Sequence, residues 1–146
     1  MSENLKLENQ ICFRYYVISK EIIKKYKPIL EPLGLTYTGY ITMLVLWEKD
    51  DISVKDLSNQ LYLDSGTLTP LLKSLESKGL STRTRGKEDE RVVYIQLTKV
   101  GAELKKQAEV VPYKVVNSIF HGQVDEDALI EHLETLNHIM SILVSE

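Results

Sequence analysis

The sequence predicts a mainly α-helical fold that carries one small β-hairpin. Apolar residues recur at intervals of three and four over most of the chain, which is the spacing of amphipathic helices. The pattern changes in residues 80–97, where LSTRTR and RVVYIQL, rich in β-branched residues, flank the polar segment GKEDE as the strands of a hairpin would. The 146 residues contain no repeats or low-complexity tracts, so a single domain, 1–146, is expected.

The N-terminal third is predicted to form two helices. In residues 7–33, apolar side chains share one helical face, at positions 11, 15, 18, 22, 26, 29 and 33. Pro28 and Pro32 are expected to end or kink this helix. A second helix, short and densely apolar, is predicted to begin near Thr36 or Thr38.

Two short helices follow, each marked by a capping residue. Ser53, with Asp56 three residues later, resembles a capping box and begins the first. Asp64 is a candidate N-cap for the second, which Gly79 is expected to close in the left-handed conformation. Two short helices joined by a tight turn and followed by a hairpin predict a winged helix-turn-helix, whose second helix enters the major groove of DNA.

The C-terminal part is predicted to be helical again. Thr98 should cap a helix that bends where Pro112 interrupts it. The last helix should begin at Asp125, with Val124 and Leu129 placed for a hydrophobic staple.

The N- and C-terminal helices carry long apolar faces that a small lobe of the same chain cannot cover. Exposed apolar surface of that extent usually marks an interface. We therefore expect a homodimer whose helical dimerisation region is formed by residues near 5–33 and 112–144. The winged DNA-binding lobe then occupies residues of about 36–100.

A DNA site in this chain must be a local basic patch, because the net charge of the whole protein is −3. Residues 73–91 carry six basic and four acidic side chains, and the second short helix begins with small, hydroxyl-bearing residues that let DNA approach closely. The alternative is that these are only helix caps and a solvated hairpin, in a winged-helix interaction module without a DNA role. The predicted DNA-binding residues are Ser65, Thr67, Thr69, Lys73, Arg83, Arg85, Lys87, Asp89 and Arg91.

The segments KEDERVVYIQLTKVG (87–101) and LDSGTLTPLLKSLESKGL (63–80) resemble the wing and the recognition helix of the MarR family of bacterial transcription regulators. The first fits the family pattern D-x-R, a strand, then L-T-x-x-G, and the likeness extends over essentially the whole chain. The resemblance implies that Arg91 reaches into the minor groove, where negative potential is enhanced, while Asp89 holds it in place. It also implies a pseudo-palindromic double-stranded operator as the partner.

The segments CFRYYVISKEIIKKY (12–26) and LTYTGYI (35–41) resemble the one-cysteine, OhrR-like branch of that family, which includes the SarZ- and MgrA-like regulators. The resemblance implies that Cys12 senses organic peroxides and that Tyr26 and Tyr37 hydrogen-bond it from the partner subunit. It also implies roles in oxidative stress and virulence regulation. Because the chain has one cysteine, no disulfide between two different cysteines can form.

Helix geometry limits which tyrosines can serve Cys12 in its own chain. Tyr26 is fourteen residues away, about 21 Å along a helix, so it can reach a thiol only in another copy. Tyr16, at i+4, can flank the thiol within the same helix. Phenol donors favour the thiolate, which attacks peroxides to give a sulfenic acid and then a mixed disulfide with a low-molecular-weight thiol. The alternative is an inert cysteine that fills a core.

Other chemistry is not expected. His121, His132 and His138 are not spaced as metal ligands, so we expect no metal and no cofactor. No nucleophile–base pair, P-loop or dinucleotide fingerprint indicates an enzyme, and a thiol peroxidase would lack a resolving partner. The polar N-terminus and the short apolar runs predict no signal peptide and no membrane span, hence a cytoplasmic protein. Within the same fold, control by a small phenolic or apolar ligand is the main alternative to redox control.

Overall fold

The computed structural model describes residues 2–123 and 125–145, which fall into two units, residues 1–111 and 112–146. Short 3-10 turns precede or follow the first helix, at Ser2–Leu5, Leu7–Asn9 and Glu31–Leu33. The regular elements, in chain order, are α1 (Ile11–Leu30), α2 (Tyr37–Glu48), β1 (Ile52–Ser53), α3 (Val54–Leu61), α4 (Ser65–Ser77), β2 (Ser81–Arg85), β3 (Val93–Leu97), α5 (Lys99–Ala108), α6 (Val111–Phe120) and α7 (Glu126–Leu143). This order confirms the predicted mainly α fold with a hairpin wing, which is β2 and β3.

The first helix is shorter than predicted at both ends. Residues Leu7–Asn9 form a separate 3-10 turn, and α1 begins only at Ile11. Pro28 lies inside the last turns of α1, which continues to Leu30. A 3-10 turn containing Pro32 follows, and Gly34 ends it in the left-handed conformation, with φ 68°.

Side-chain caps confirm the predicted helix starts. In each case an oxygen of the N-cap residue accepts a hydrogen bond from the backbone N–H three residues later, as an N-cap should. The four caps in the first unit are Thr36 to Gly39, Ser53 to Asp56, Asp64 to Thr67, and Thr98 to Gly101, at 2.8–3.1 Å.

The end of α4 is also as predicted. Gly79 has φ 72°, and the N–H groups of Gly79 and Leu80 donate to the carbonyls of Glu76 and Leu75 at 2.9 and 3.0 Å. This pair of bonds is a Schellman motif, which satisfies carbonyls that the helix leaves open.

The sheet has a third strand that the sequence did not predict. β3 lies between β2 and the two-residue β1, all antiparallel, with Arg85 opposite Val93 and Ile52 opposite Ile95. A strand of two residues within the polar segment DDIS has no alternation to detect, and only its pairing with β3, far along the chain, defines it.

The core of the first unit lies between the sheet and the helices. α2 is apolar on nearly all sides and contributes Tyr40, Met43 and Leu46, all at most 3% exposed. α4 adds leucines at 68, 72 and 75, which hold this helix by one face and leave its other face in solvent. No single helix in the described residues is long and apolar enough to span a membrane. Residues 11–33 and α2 reach that length and apolar composition only as a pair, and the pair is bent by 67°.

The break in the C-terminal helices lies earlier than predicted. α5 ends at Ala108 and α6 begins at Val111, so Pro112 is the second residue of a helix and does not interrupt one. Proline fits the first turn because its missing N–H would have no intrahelical partner there. α7 begins at Glu126 behind the predicted cap Asp125, whose Oδ1 accepts from the N–H groups of residues 127 and 128. The predicted staple involves Val124, which lies outside the described residues.

A close contact joins the end of α4 to the start of α5. A β-carbon placed on Gly101 would overlap with the carbonyl oxygen of Leu80 and lie 2.9 Å from its carbonyl carbon. Thr98 donates from its hydroxyl to the Gly79 carbonyl at 2.6 Å, and Trp47 Nε1 donates to the Gly101 carbonyl at 2.8 Å. Backbone therefore packs on backbone here, and only glycine fits.

We predict that Gly101→Ala lowers the free energy of unfolding by about 1–3 kcal/mol, since the added methyl group forces the chain apart at this contact. Chemical denaturation measures the change. The matched control is Glu103→Ala, on an exposed position of the same helix, which should change stability by no more than about 0.5 kcal/mol. Equal stability of Gly101→Ala and the parent would contradict the close contact.

Candidate nucleic-acid interface and redox site

The start of α4 presents a polar, exposed edge. Residues 64–67 are all exposed, as is Thr69, while Leu68 is fully buried. The structure thus places Ser65, Thr67 and Thr69, the predicted DNA-contacting residues of this helix, in solvent. Small hydroxyl side chains on such an edge can donate to and accept from base edges and phosphate oxygens.

The tip of the wing, residues 86–92, is shaped by its own hydrogen bonds. Gly86 N–H donates to the Val92 carbonyl at 2.7 Å, and Val92 N–H donates to the Asp89 carbonyl at 3.1 Å. A β-carbon on Gly86 would lie 2.6 Å from the Asp89 carbonyl oxygen, so this tight tip also needs glycine.

Arg91 and Asp89 contact each other at that tip. The Asp89 carboxylate accepts from Arg91 Nε at 3.1 Å, from its Nη2 at 3.3 Å and from its backbone N–H at 3.0 Å. The Arg91 side chain is still 92% exposed. These hydrogen bonds from Arg91 hold the pKa of the Asp89 carboxyl below its ordinary value. The guanidinium is therefore oriented by its neighbour and yet accessible to a ligand.

A cavity of about 570 Å³ lies between the wing and α4. Thr69, Arg83 and Arg91, which the sequence predicted as DNA-binding, all line it. Lys55, in the first turn of α3, lines the same cavity and was not predicted, because a lone lysine at a helix start carries no signal of its own. Three cations, from α3, β2 and the wing tip, thus border one concave surface, together with the carboxylate of Asp56.

The other predicted basic residues differ in their partners. Arg83 Nε donates to the carboxylate of Glu76 at 2.7 Å, which links β2 to α4 and offsets part of its charge. Arg85 donates to the Glu90 carbonyl at 3.0 Å, across the wing. Lys73 and Lys87 are exposed, and neither forms an ion pair with any residue in the described part of the chain.

Cys12 is exposed and is the second residue of α1. Because α1 begins at Ile11, the thiol lies in the first helical turn, closer to the positive end of the helix than the predicted start at residue 7 implied. Tyr16, one turn later, is 62% exposed, and Lys20 Nζ lies 5.6 Å from the centre of its ring. An exposed thiol in the first turn of a helix does not match the alternative of an inert core cysteine.

Tyr26 and Tyr37 meet in the same chain, together with Tyr40. Ring centres lie 4.8 Å apart for Tyr26 and Tyr37 and 5.8 Å apart for Tyr26 and Tyr40; these three side chains are the phenol cluster. Burial, and then the neighbouring phenols, raise the pKa of Tyr26 and of Tyr40 above the ordinary phenol value. Among the described residues, no hydrogen-bond partner is found for any of the three hydroxyls.

The phenol cluster does not meet the thiol of its own chain. α1 runs without a break from Ile11 to Leu30, and the fourteen residues between Cys12 and Tyr26 correspond to about 21 Å. The structure therefore brings two of the three predicted thiolate partners together but leaves Cys12 apart from them. Tyr40, the third phenol, was not predicted, although its i+3 spacing from Tyr37 places both on one face of α2.

A family model described as transcriptional regulator SarA/Rot matches residues 24–108. The chain belongs to this family. It is 47% identical over 139 residues to the organic hydroperoxide resistance transcriptional regulator of Bacillus subtilis, covering 92% of this chain and 95% of that one. It is also 47% identical over 135 residues to the regulator SarZ of Staphylococcus saprophyticus, with 92% and 90% covered. These relatives confirm the resemblance to MarR-type regulators of the OhrR-like branch.

Solved structures of related regulators have the same winged-helix fold. AbfR in its reduced form, bound to DNA, is 35% identical with a TM-score of 0.71, covering 94% of this chain and 96% of that one. AbfR of Staphylococcus epidermidis is 31% identical with a TM-score of 0.75, covering 99% and 98%. AbfR has also been solved in an overoxidized form on DNA and in a disulfide form.

The contact at the wing tip can be tested by titration. Because the folded pKa of Asp89 lies below the unfolded value, the pair with Arg91 stabilises the wing at neutral pH, and this contribution disappears as the pH falls through the folded pKa. We predict that Arg91→Ala returns the Asp89 pKa toward its ordinary value in an NMR titration of the carboxyl carbon. Arg85→Ala, on the same hairpin but bonded to Glu90, is the control and should leave that pKa in place. An unchanged titration in Arg91→Ala would contradict the contact.

Proposed function

We propose that this protein is a homodimeric, DNA-binding transcription regulator whose operator binding is switched by peroxide oxidation of Cys12. The observation that carries the proposal is an exposed thiol in the first turn of α1, in a chain whose phenol cluster has open hydroxyls that the thiol cannot reach. In a dimer, the cluster of one subunit can serve the thiol of the other. Because the chain belongs to a family of transcription regulators, its partner is operator DNA. Such a regulator acts in the cytoplasm, and its thiol is switched without turnover, so the chain is not an enzyme.

The DNA would be bound by α4 and the wing together. The exposed edge of α4 enters the major groove, where Ser65, Thr67 and Thr69 meet bases and phosphates, while Arg91 reaches from the wing tip into the minor groove. The cavity between them, bordered by Lys55, Arg83 and Arg91, suits the phosphate backbone that runs between the two grooves. The proposed DNA-binding residues also include Lys73, Arg85, Lys87 and Asp89. Asp89 orients Arg91.

MarR-type regulators are dimers, and both ends of this chain supply apolar surface for one. In the first unit the N-terminal segment and α1 expose apolar and aromatic side chains, and in the second unit α6 and α7 do the same. These side chains are Leu5, Leu7, Ile11, Ile18 and Ile23 in the first unit, and Tyr113, Phe120, Ile130, Leu133, Ile142 and Leu143 in the second, each 39–87% exposed. A monomer would leave this surface in water at a large cost, so two copies bury it against each other.

The switch proceeds by two balanced steps. The Cys12 thiolate attacks the terminal oxygen of an organic hydroperoxide, the O–O bond breaks, and the alkoxide takes a proton from solvent and leaves as the alcohol, giving a sulfenic acid. A low-molecular-weight thiol then displaces water from the sulfur and forms a mixed disulfide. Tyr26 and Tyr37 of the other subunit, with Tyr16 of the same helix, donate hydrogen bonds to the thiolate. An adduct between subunits moves the two α4 helices from the 34–36 Å separation that successive major grooves require.

Control by a small phenolic or apolar ligand is a second candidate function, favoured by one cavity. This cavity of about 460 Å³ is lined by Ile23, Leu35 and Tyr37 and bordered by Lys27 and Lys78, next to the C-terminal end of α4. A ligand there would touch both the phenol cluster and the residue that follows the recognition helix, and so could displace α4 without any redox step.

We predict that an organic hydroperoxide releases the parent protein from a DNA duplex that it has selected from random sequence, and that Cys12→Ser binds the same duplex but no longer responds. Fluorescence anisotropy with and without the peroxide measures both. Tyr26→Phe should slow release because it removes a donor to the thiolate. Tyr113→Phe, outside the cluster, is the matched control: it also removes one phenol hydroxyl but keeps the ring that contributes to the proposed dimer surface, so it should respond as the parent does.

Sedimentation must show that all four proteins are dimers, since a broken interface would also abolish release. Peroxide release that survives in Cys12→Ser would overturn redox control through this thiol. A phenolic ligand that releases the parent and Cys12→Ser equally would instead support the second candidate function.

We predict that Arg91→Ala weakens DNA binding by about 1–3 kcal/mol per subunit and lowers the slope of log affinity against log salt by about two, because the dimer loses one cation near the phosphates in each subunit. Thr67→Ala should instead change the preference among variant duplexes, since that side chain meets base edges. Lys20→Ala, a cation on α1 away from the DNA-binding elements, is the control. Tight binding by Arg91→Ala at all salt concentrations would contradict the role of the wing.

A further inference from the structure

Tyr62 adopts an unusual backbone conformation at the C-terminal end of α3. Its φ and ψ are 54° and 35°, in the left-handed region, and its N–H donates to the Ser58 carbonyl as the C-cap. Glycine and asparagine favour such positions, because a larger side chain crowds the backbone there. A tyrosine in this conformation is strained, and strain that persists at a single residue is often tied to function.

Packing within the chain does not account for the ring. Tyr62 is 62% exposed, so it buries little apolar surface. In the part of the chain that the structure describes, its ring forms no aromatic pair and no cation–π contact, and its hydroxyl has no hydrogen-bond partner. The turn itself would form at lower cost with asparagine at this position.

The location of Tyr62 indicates what the side chain can contact. It lies in the turn between α3 and α4, two residues before the N-cap Asp64, and the exposed polar edge of residues 64–67 follows directly. A turn at the head of a recognition helix lies beside the phosphate backbone that borders the major groove. Tyrosine hydroxyls are among the side-chain groups that hydrogen-bond phosphate oxygens in protein–DNA complexes.

We propose that Tyr62 binds the DNA backbone, its phenol hydroxyl donating a hydrogen bond to a phosphate at the edge of the major groove that α4 enters. This inference rests on the proposed DNA-binding function. A neutral donor on the turn fixes the depth and register of α4 in the groove, and it releases no counterion when it binds.

The test compares Tyr62→Phe and Tyr62→Asn with the parent on a duplex selected by the parent from random sequence. Tyr62→Phe removes only the hydroxyl, so affinity should fall about tenfold per subunit, or about a hundredfold for the dimer, the loss expected for one hydrogen bond to a charged group in each subunit. The slope of log affinity against log salt should stay unchanged, whereas the control Lys73→Ala should reduce it. Tyr62→Asn should lose at least as much affinity while its thermal midpoint is equal to or above that of the parent, because asparagine suits the left-handed turn.

Each outcome decides one question. Equal affinity of Tyr62→Phe and the parent would overturn the contact. A thermal midpoint of Tyr62→Asn below that of the parent would overturn the argument that the left-handed turn favours asparagine and that tyrosine is kept there for its side chain. If the parent selects no duplex at all, the proposed DNA-binding function fails, and this inference fails with it. Reduced affinity at unchanged stability and salt slope supports the contact.

Discussion

The packing of Gly101 on the backbone of Leu80 is the contact on which the geometry of the DNA-binding elements depends. At this point the end of α4, the end of β3 and the start of α5 meet, and Thr98 bonds to the carbonyls of Gly79 and Leu80. Because backbone meets backbone there, the distance between the elements cannot be adjusted by a side-chain rotamer. The angle between the recognition helix and the wing is therefore set by a small number of rigid contacts.

The arrangement of charge follows from that rigid frame. The chain is acidic overall, and two of its exposed arginines are held by carboxylates, Arg83 by Glu76 and Arg91 by Asp89. Exposed ion pairs contribute little to stability, so a phosphate can replace the carboxylate at small cost. In the proposed DNA complex, the acids orient the guanidinium groups before DNA arrives, which lowers the side-chain entropy lost on binding.

Peroxide sensing, as proposed, depends on the distance between Cys12 and the phenol cluster. A 20-residue helix separates Cys12 from Tyr26, while packing of α1 on α2 gathers three phenols at the other end. Burial raises the pKa of Tyr26 and of Tyr40 further above the pH of the cell, where phenols are already protonated and able to donate. Because the thiol and the phenols lie at opposite ends of one helix, the proposed mechanism makes the dimer the unit that senses. In that mechanism, chemistry at the sulfur acts directly on the subunit interface.

The sequence by itself determined the helices, their caps and the hairpin, because these depend on local spacing and on single residues such as Ser53, Asp64 and Gly79. It also determined that Tyr26 could not reach Cys12 within one chain, since helix rise alone decides that distance. Only the tertiary structure decided the two-residue strand β1, which exists through pairing with β3, and the true start of α1 at Ile11, which places the thiol in the first turn. Long-range packing likewise grouped Tyr40 with Tyr26 and Tyr37, and Lys55 with Arg83 and Arg91. Contacts between residues far apart in the chain leave no periodic pattern in the sequence, and the folded backbone alone brings those residues together.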